Sequence, residues 1–304
     1  MIRFVNAKIN IGLQIVRRRE DGYHELQTVF YPVGLYAGTP RNPVEFRDIL
    51  EIVPREKVSA MPFSFRQTGR GLDCPEEKNL VWRAARLYFE RCATPGFAAD
   101  ITLDKHLPDG AGMGGGSADA AFTLRLLRDL ELDHAAGICL SQGEIPDDTR
   151  LAEMALTLGA DCPFFIYNRP AFAEGIGERL QPVGLDLAGC MLLVAKPHVS
   201  ISTREAFAGI TPREPDFDLR EIDRLPMELW RDKIKNDFEI PFFGKFPELL
   251  GVKEEMYGCG ALYSSLTGSG SCIYGIFPDA MSAEAARAIL SPSPLIASLY
   301  LLSL

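Results

Sequence analysis

The sequence predicts a globular fold that mixes strands and helices, with room for one large or two medium domains. Its 304 residues are 47% hydrophobic, which is enough for sizeable cores. Apolar and polar residues alternate near the N terminus, as is typical of strands. Apolar residues recur at helical spacing in residues 76–91 and directly after a glycine-rich stretch at 110–116.

The individual elements follow from the same patterns and from turn and capping residues. Strands are predicted at residues 1–16, 26–36, 48–53, 63–67, 98–103, 164–167, 190–195, 262–266, 271–277 and 296–301, with two short strands and their turn in 171–180. Helices are predicted at 76–91, from the N-cap Ser117 onward, and at 147–158, 203–207, 246–257 and 283–290. Residues 37–47 predict a loop, and 211–230 an irregular or helical insertion. A weakly marked domain boundary is placed near Gly184.

Composition excludes several classes of protein. A net charge of −9 argues against a broad nucleic-acid surface. The seven cysteines are odd in number and form no CxxC pair, which argues against a disulfide framework or a zinc ribbon and fits a reducing cytosol. Neither a signal-peptide pattern nor a run of 18 apolar residues occurs in the sequence. We therefore expect a soluble, cytoplasmic protein that binds neither nucleic acid nor membrane.

The glycine-rich stretch is the strongest local signal for a ligand. Five of the seven residues from Gly110 to Gly116 are glycine, and a helix-favouring run follows at once. A glycine loop that opens a helix presents unpaired N–H groups and the positive end of the helix dipole, which together attract anions. The stretch matches neither the Walker pattern nor a dinucleotide fingerprint. It favours a polyphosphate site over an ordinary loop.

Other polar residues have two interpretations when they are considered alone. Lys8 and Asn10 either face solvent on a half-exposed strand or point into a site. Asp161 stands between glycine and proline, where a turn residue is the simpler interpretation and a catalytic carboxylate the alternative. Tyr23 and His24 follow a hairpin-type turn, where they are either exposed or able to stack on and hydrogen-bond a planar ring.

The order of the motifs is more specific than any one of them. The chain reads AKINIGLQI, DGYHELQTVF, LPDGAGMGGGSADAA, LGADCPFFI, AFAEGIGERL, KPHVSISTREAF, NDFE and LTGSGS. This series resembles the GHMP small-molecule kinases over nearly the whole chain. DGYHE, GADCPFF and AFAEGIGE are similar to the member that phosphorylates a hydroxyl on the methylerythritol part of a cytidine-bearing substrate in isoprenoid biosynthesis. The resemblance implies ATP-dependent phosphoryl transfer.

The resemblance also implies a fold and a set of site residues. The fold is α+β with two domains: a ribosomal-protein-S5-domain-2-like N-terminal half, residues 1–184, and a ferredoxin-like C-terminal half, residues 185–304, with the active site in the cleft between them. Lys8 and Asp161 match the catalytic pair. The positions that match ATP-binding residues are Asn79, Lys105, Pro108, Asp109, Gly110, Ala111, Gly112, Met113, Gly114, Gly115, Gly116, Ser117 and Ala118. The substrate is expected at Asn10, Tyr23, His24, Thr203 and Phe207, and also at the second glycine turn, Gly268 and Ser269.

The implied roles agree with the chemistry of phosphoryl transfer, which mostly needs positioning and charge stabilisation. Asp161 accepts the hydroxyl proton, and Lys8 keeps that carboxylate ionised. Mg²⁺ bridges phosphate oxygens and keeps several waters, so no protein ligand is assigned to it. The expected assembly is a monomer or a weak homodimer. Asp109 departs from the family pattern, since relatives often carry an apolar or small residue there.

Two alternatives remain at this point. The first is another GHMP kinase, acting on mevalonate, homoserine or a sugar; Tyr23, His24 and Phe207 argue against it, because those substrates carry no base to stack. The second is a non-catalytic ATP-binding protein on the same scaffold. The intact Lys8 and Asp161 pair argues against that alternative.

Overall fold

The computed structural model describes residues 1–35, 46–56, 61–71, 74–93, 96–135 and 145–304. In chain order the strands are β1 (Ile2–Val5), β2 (Ala7–Arg18), β3 (His24–Val33), β4 (Asp48–Glu56), β5 (Phe63–Gly69), β6 (Phe97–Lys105), β7 (Ala171–Gly175), β8 (Arg179–Pro182), β9 (Met191–Pro197), β10 (Tyr263–Leu266), β11 (Ile273–Phe277) and β12 (Ile296–Ser303). The α-helices are α1 (Leu80–Arg91), α2 (Gly115–Ala135), α3 (Asp148–Leu156), α4 (Cys162–Tyr167), α5 (Thr203–Ala208), α6 (Trp230–Lys233), α7 (Glu239–Lys245), α8 (Leu250–Gly258) and α9 (Ala280–Leu290).

The chain folds into two compact units that each combine distant segments. Unit 1 comprises Met1–Ala7, Val44–Leu107 and Gly114–Asn168, and unit 2 comprises Lys8–Pro43, Pro108–Met113 and Arg169–Leu304. The N-terminal β2–β3 hairpin therefore belongs with the C-terminal part of the chain. The domain boundary expected near Gly184 stays a prediction. It divides the chain once along its length, whereas these units each combine several segments.

Unit 1 contains a four-stranded sheet in the order β1-β4-β6-β5. Its neighbours are antiparallel except for β5 and β6, which run parallel. Because parallel strands end at the same sheet edge, Gly69 and Lys105 lie side by side in register. Helix α1 begins where the side chain of Asn79 accepts the N–H of Val81, 2.9 Å away, which confirms the helix start expected near that residue.

Unit 2 contains two four-stranded sheets, in the orders β2-β3-β7-β8 and β10-β11-β9-β12. Helices α7, α8 and α9 contribute to a core that includes Leu13, Phe242, Met256, Phe277 and Leu301. Burial does not alternate along β9 and β11, which matches their continuous apolar sequence.

The structure corrects one predicted element and gives two others in more detail. Residues 164–167 form helix α4 rather than a strand, because Pro163 sits at the helix start and Asn168, at a φ of 50°, ends it. The predicted strand over residues 1–16 is two strands that separate at Asn6. The stretch 211–230 is largely irregular, with 3₁₀ turns at Leu219–Arg224 and Met227–Leu229. The loop predicted at 37–47 lies outside the described residues, apart from Phe46 and Arg47.

Among the described helices, none combines the length and the apolar character that a membrane crossing requires.

Candidate active site

The glycine stretch adopts backbone conformations that require glycine. Gly110, Gly112 and Gly114 have φ values of 59°, 73° and 70°, a region that side chains disfavour. Helix α2 then begins at Gly115, so Ser117 lies inside the first turn and is not the N-cap that its sequence suggested. Glycine at the helix start leaves the backbone N–H groups unshielded by side chains.

The residues of this stretch differ in exposure. Asp109 and Gly110 are exposed, and residues 114–117 are half-buried. The side chains that anchor the stretch are buried, namely Pro108, Ala111, Met113 and Ala118. Because the exposed and half-buried positions are mostly glycine, the surface that a ligand meets is mostly backbone.

In unit 2, the start of β2 carries a buried lysine. Lys8 is 3% exposed, so the interpretation as a solvent-facing strand residue is wrong. Its Nζ donates to Oδ1 of Asn10 at 2.5 Å and to the carbonyl oxygen of Gly112 at 3.1 Å, and it lies 4.8 Å from the ring centroid of Phe30. The backbone N–H of Lys8 donates to the carbonyl of Met113 at 3.0 Å. The ammonium is thus held at a defined place beside the glycine stretch.

The second glycine turn of unit 2 packs against the first. Thr267 donates its hydroxyl to the carbonyl of Gly112 at 3.0 Å, and the backbone N–H of Asn10 donates to the same hydroxyl oxygen at 3.1 Å. A Cβ on Gly112 would overlap the carbonyl oxygen of Thr267, so only glycine fits. Gly268 has a φ of 57° and is buried, while Ser269 is half-buried. The structure therefore brings Lys8, Asn10, Gly112 and Gly268 together.

Two residues to which the sequence assigned no role, Asn236 and Tyr274, hydrogen-bond the backbone of this cluster. Asn236 donates to the carbonyls of Leu266 and Gly268 at 2.7 and 3.0 Å. The hydroxyl of Tyr274 donates to the carbonyl of Asn10 at 2.7 Å. Asn236 belongs to the NDFE motif, which marked it as part of the family pattern without indicating this contact. Tyr274 had no signal beyond a place in an apolar strand.

Two aromatic rings of unit 2 stack on each other. The rings of His24 and Phe207 lie 4.7 Å apart with an interplanar angle of 19°, and Phe238 meets Phe207 edge-on at 4.8 Å. Burial lowers the pKa of His24, and the charge of Arg18 lowers it further, so the neutral imidazole is favoured. Tyr23 is 61% exposed, and Thr203 is exposed at the first position of α5.

In unit 1, Asp161 stands directly before helix α4 and is half-buried. Its side chain makes no capping hydrogen bond to that helix. The turn that carries it lies against the first turn of α2: a Cβ on Gly159 would stand 3.3 Å from Sγ of Cys162 and 3.8 Å from Oγ of Ser117. Burial raises the pKa of the Cys162 thiol to about 12, so this cysteine stays protonated and is no nucleophile.

The two remaining predicted ATP contacts are buried in unit 1. Lys105 is 1% exposed, and its Nζ donates to carboxylates of Asp48 and Asp119 at 2.5 and 2.7 Å. Asn79 is 6% exposed, and besides capping α1 it donates to Oε1 of Gln67 at 2.8 Å. Asn79 nevertheless lines a cavity of about 360 Å³ with Gln67, Thr68 and Arg70 at the end of β5. That cavity is large enough for a purine ring.

Comparison with known families places the chain in a class. Residues 79–169 match the family described as GHMP kinases N terminal domain, and residues 215–295 match the one described as GHMP kinases C terminal. The two matches cover more than half of the chain. A protein with this fold, a glycine stretch that opens a helix and a buried lysine beside it is an ATP-dependent small-molecule kinase of this class. The predicted two-domain α+β fold is confirmed.

Individual relatives define the family more closely. A 4-diphosphocytidyl-2-C-methyl-D-erythritol kinase from Bacteroides fragilis is 45% identical over 91% of this chain and 92% of its own, and one from Parabacteroides distasonis is 44% identical over the same shares. A crystal structure of 4-(cytidine 5'-diphospho)-2C-methyl-D-erythritol kinase superposes with a TM-score of 0.77 at 32% identity, covering 100% of this chain and 98% of that one. The chain belongs to the family of the 4-diphosphocytidyl-2-C-methyl-D-erythritol kinases.

More distant structures share the fold alone. A homoserine kinase from Cytophaga hutchinsonii superposes with a TM-score of 0.66 at 16% identity, covering 99% of this chain and 95% of that one.

Proposed function

We propose that this chain transfers the γ-phosphate of ATP to the 2-hydroxyl of 4-diphosphocytidyl-2-C-methyl-D-erythritol, giving the 2-phosphate and ADP in the non-mevalonate pathway to isoprenoid precursors. The observation that carries the proposal is the environment of Lys8, a buried ammonium held by Asn10 and the glycine stretch. The names of the relatives support the choice of acceptor.

The catalytic roles divide between the two units. Asp161 acts as the general base that accepts the hydroxyl proton, and it stands in the turn that packs against the first turn of α2. Lys8 stabilises the charge that develops on the transferring phosphoryl group. Ser117 and the other residues of the first turn of α2 bind phosphate oxygens through backbone N–H groups.

The acceptor is recognised in unit 2. The cytosine ring binds at His24 and Phe207, where the neutral imidazole hydrogen-bonds the base edge and Phe207 offers an aromatic face. Tyr23, exposed beside His24, supplies a second face, and Thr203 lies on the same helix as Phe207. Gly268 and Ser269, next to Asn10, contact the part of the acceptor that reacts.

ATP binds with its adenine in the cavity beside Asn79 and its triphosphate at the glycine stretch. Mg²⁺ would accompany the triphosphate at the glycine stretch. The described residues contain no group of three or more His, Cys, Asp or Glu side chains able to hold a metal, which suits an ion carried mainly by phosphate oxygens and water. When bound, Mg²⁺ neutralises phosphate charge. We place the protein in the cytoplasm, as a monomer or a weak homodimer.

The test is a coupled assay of ADP release with 4-diphosphocytidyl-2-C-methyl-D-erythritol as acceptor. Wild-type protein should turn over this acceptor and leave mevalonate, homoserine and sugars essentially unphosphorylated. Asp161→Asn should lower kcat by on the order of 10²–10⁴ and leave ATP affinity within about twofold, since the general base acts in the transition state. Nucleotide binding without any transfer would instead favour the non-catalytic alternative. A fully active Asp161→Asn variant would exclude Asp161 as the base.

A further inference from the structure

A buried charge cluster joins the two ends of the glycine stretch within unit 1. Lys105 is the last residue of β6, and its Nζ lies 2.5 Å from Oδ2 of Asp48 and 2.7 Å from Oδ2 of Asp119. Asp48 begins β4, and Asp119 lies near the start of α2. The three side chains are 1%, 0% and 2% exposed, so the cluster is closed to solvent. One ammonium therefore links the strand before the stretch to the helix after it.

The same cluster fixes the backbone where the stretch begins. The second oxygen of Asp48 accepts the N–H groups of His106 and Leu107 at 2.6 and 2.8 Å. At the other end, a Cβ on Gly115 would stand 3.3 Å from Nζ of Lys105, so a glycine lets the helix start approach the ammonium closely. Both ends of the stretch are thus held by contacts to the Lys105–Asp48–Asp119 cluster.

The carboxylates beside Lys105 favour its charged form. Burial alone would lower the pKa of Lys105, but the nearby Asp119 and Asp48 carboxylates outweigh it and raise the pKa above its ordinary value. Burial raises the pKa of Asp119, and Lys105 opposes that rise. Because an ammonium in this position has carboxylate partners on two sides and is 1% exposed, it has no surface to offer to a nucleotide.

We propose that Lys105 is a positioning residue for the triphosphate of ATP, which acts by tying Asp48 and Asp119 together across the ends of the glycine stretch and makes no contact with the adenine ring. The inference rests on the proposed function, since it assigns the stretch to ATP phosphates. It revises the sequence-based expectation that Lys105 contacts the nucleotide. Holding both ends of a glycine-rich segment removes conformational entropy before the ligand binds.

The test compares ligands that differ only in their phosphates. Lys105→Met should weaken ATP binding at least about tenfold in calorimetry, whereas adenosine, which lacks phosphates, should bind within about twofold of wild type. Tyr88→Phe is the matched control, because it removes another buried hydrogen bond of unit 1, from the Tyr88 hydroxyl to Oε2 of Glu131 at 2.5 Å. The control should lose stability and keep both affinities.

A second pair of variants guards against a Lys105→Met protein that does not fold. Asp119→Asn keeps an oxygen in the place of Oδ2, which accepts from Lys105. Its amide nitrogen replaces Oδ1, which has no hydrogen-bond partner among the described residues. It should retain ATP affinity within about threefold, while Asp119→Ala should lose at least about tenfold. Equal weakening of ATP and adenosine in Lys105→Met or Asp119→Ala would overturn the inference, as would wild-type ATP affinity in either.

These binding measurements need no turnover. An inactive wild-type protein would refute the proposed function, and the ATP and adenosine affinities would still decide the role of Lys105.

Discussion

Each unit buries one lysine beside the glycine stretch, and the two lysines are held in different ways. Lys105 of unit 1 is paired with two carboxylates, whereas Lys8 of unit 2 donates to an amide oxygen and a backbone carbonyl. Two carboxylates neutralise the ammonium of Lys105. Lys105 therefore suits a structural link, and Lys8, held against the carbonyl of Gly112 in the glycine stretch, suits a group that acts on a reacting phosphate.

The two lysines should also differ in how much stability is lost when each is removed. Breaking a buried ion pair leaves an uncompensated charge, at roughly 3–5 kcal/mol, so loss of Lys105 should lower stability strongly. Removing the ammonium of Lys8 deprives the amide oxygen of Asn10 and the carbonyl of Gly112 of a donor, at roughly 1–3 kcal/mol. Loss of Lys105 should thus affect stability and ATP binding, and loss of Lys8 should affect phosphoryl transfer.

The largest expected effect is that of Lys8→Met. We expect kcat to fall by on the order of 10²–10³, because a group that stabilises transition-state charge is lost. In thermal denaturation, Lys8→Met should lose less stability than Lys105→Met. Lys105→Met leaves two buried carboxylates next to each other without a cation. An unchanged kcat, or a destabilisation larger than that of Lys105→Met, would break the comparison.

A smaller and more selective effect is expected from Phe207→Ala. Stacking of an aromatic side chain on a base contributes about 1–3 kcal/mol, so the KM for the cytidine-bearing acceptor should rise about 10- to 100-fold. The KM for ATP should stay within about twofold, since Phe207 is proposed to contact the acceptor and not the nucleotide.

Phe246→Ala is the control for that variant, because Phe246 packs on Phe242 in the core of the same unit at a centroid distance of 5.4 Å. It should destabilise the fold and leave both KM values unchanged. A rise in the KM for ATP in Phe207→Ala would contradict the assignment of Phe207 to the acceptor.

The smallest expected effect concerns pH. The folded-state pKa of His24 is lowered by burial and by Arg18, so as pH falls the unfolded chain takes up this proton before the folded protein does. The contribution of His24 to stability is therefore constant above a pH of about 6.5 and becomes unfavourable below it. The KM for the acceptor should likewise stay flat from about pH 8 down to about 6.5 and rise only at lower pH.

Arg18→Gln sharpens this prediction, because removing the nearby charge should move the rise in KM toward higher pH. NMR titration of His24 in both proteins gives the direct measurement. A KM that already rises at pH 7.5 in the wild-type protein would contradict it.

Local features of the fold were predictable where the signal lies in neighbouring residues. Asn79 caps α1 as expected, and Asp147 caps α3 by accepting the N–H of Arg150 at 2.8 Å. The strand predicted at residues 164–167 was wrong, because Phe-Phe-Ile-Tyr favours a strand on its own. Pro163 before these residues and the left-handed Asn168 after them instead bound a short helix.

Some site residues could be found from sequence motifs, and others could not. The motifs assigned Lys8, Asn10 and Gly112 to one reaction, and the structure brings these three together in unit 2. The roles of all these site residues in catalysis and binding stay predictions. Thr267, Asn236 and Tyr274 had no assigned role, because each acts through a partner far away in the sequence.

The sequence by itself determined the family and marked the glycine stretch as the candidate phosphate site, since both depend on short motifs. The tertiary structure alone decided that Lys105 is buried between two carboxylates, one of them 57 positions away, and that His24 stacks on Phe207. The reason is physical: propensity and motif act over a few residues, whereas burial and charge pairing depend on which distant segments fold together.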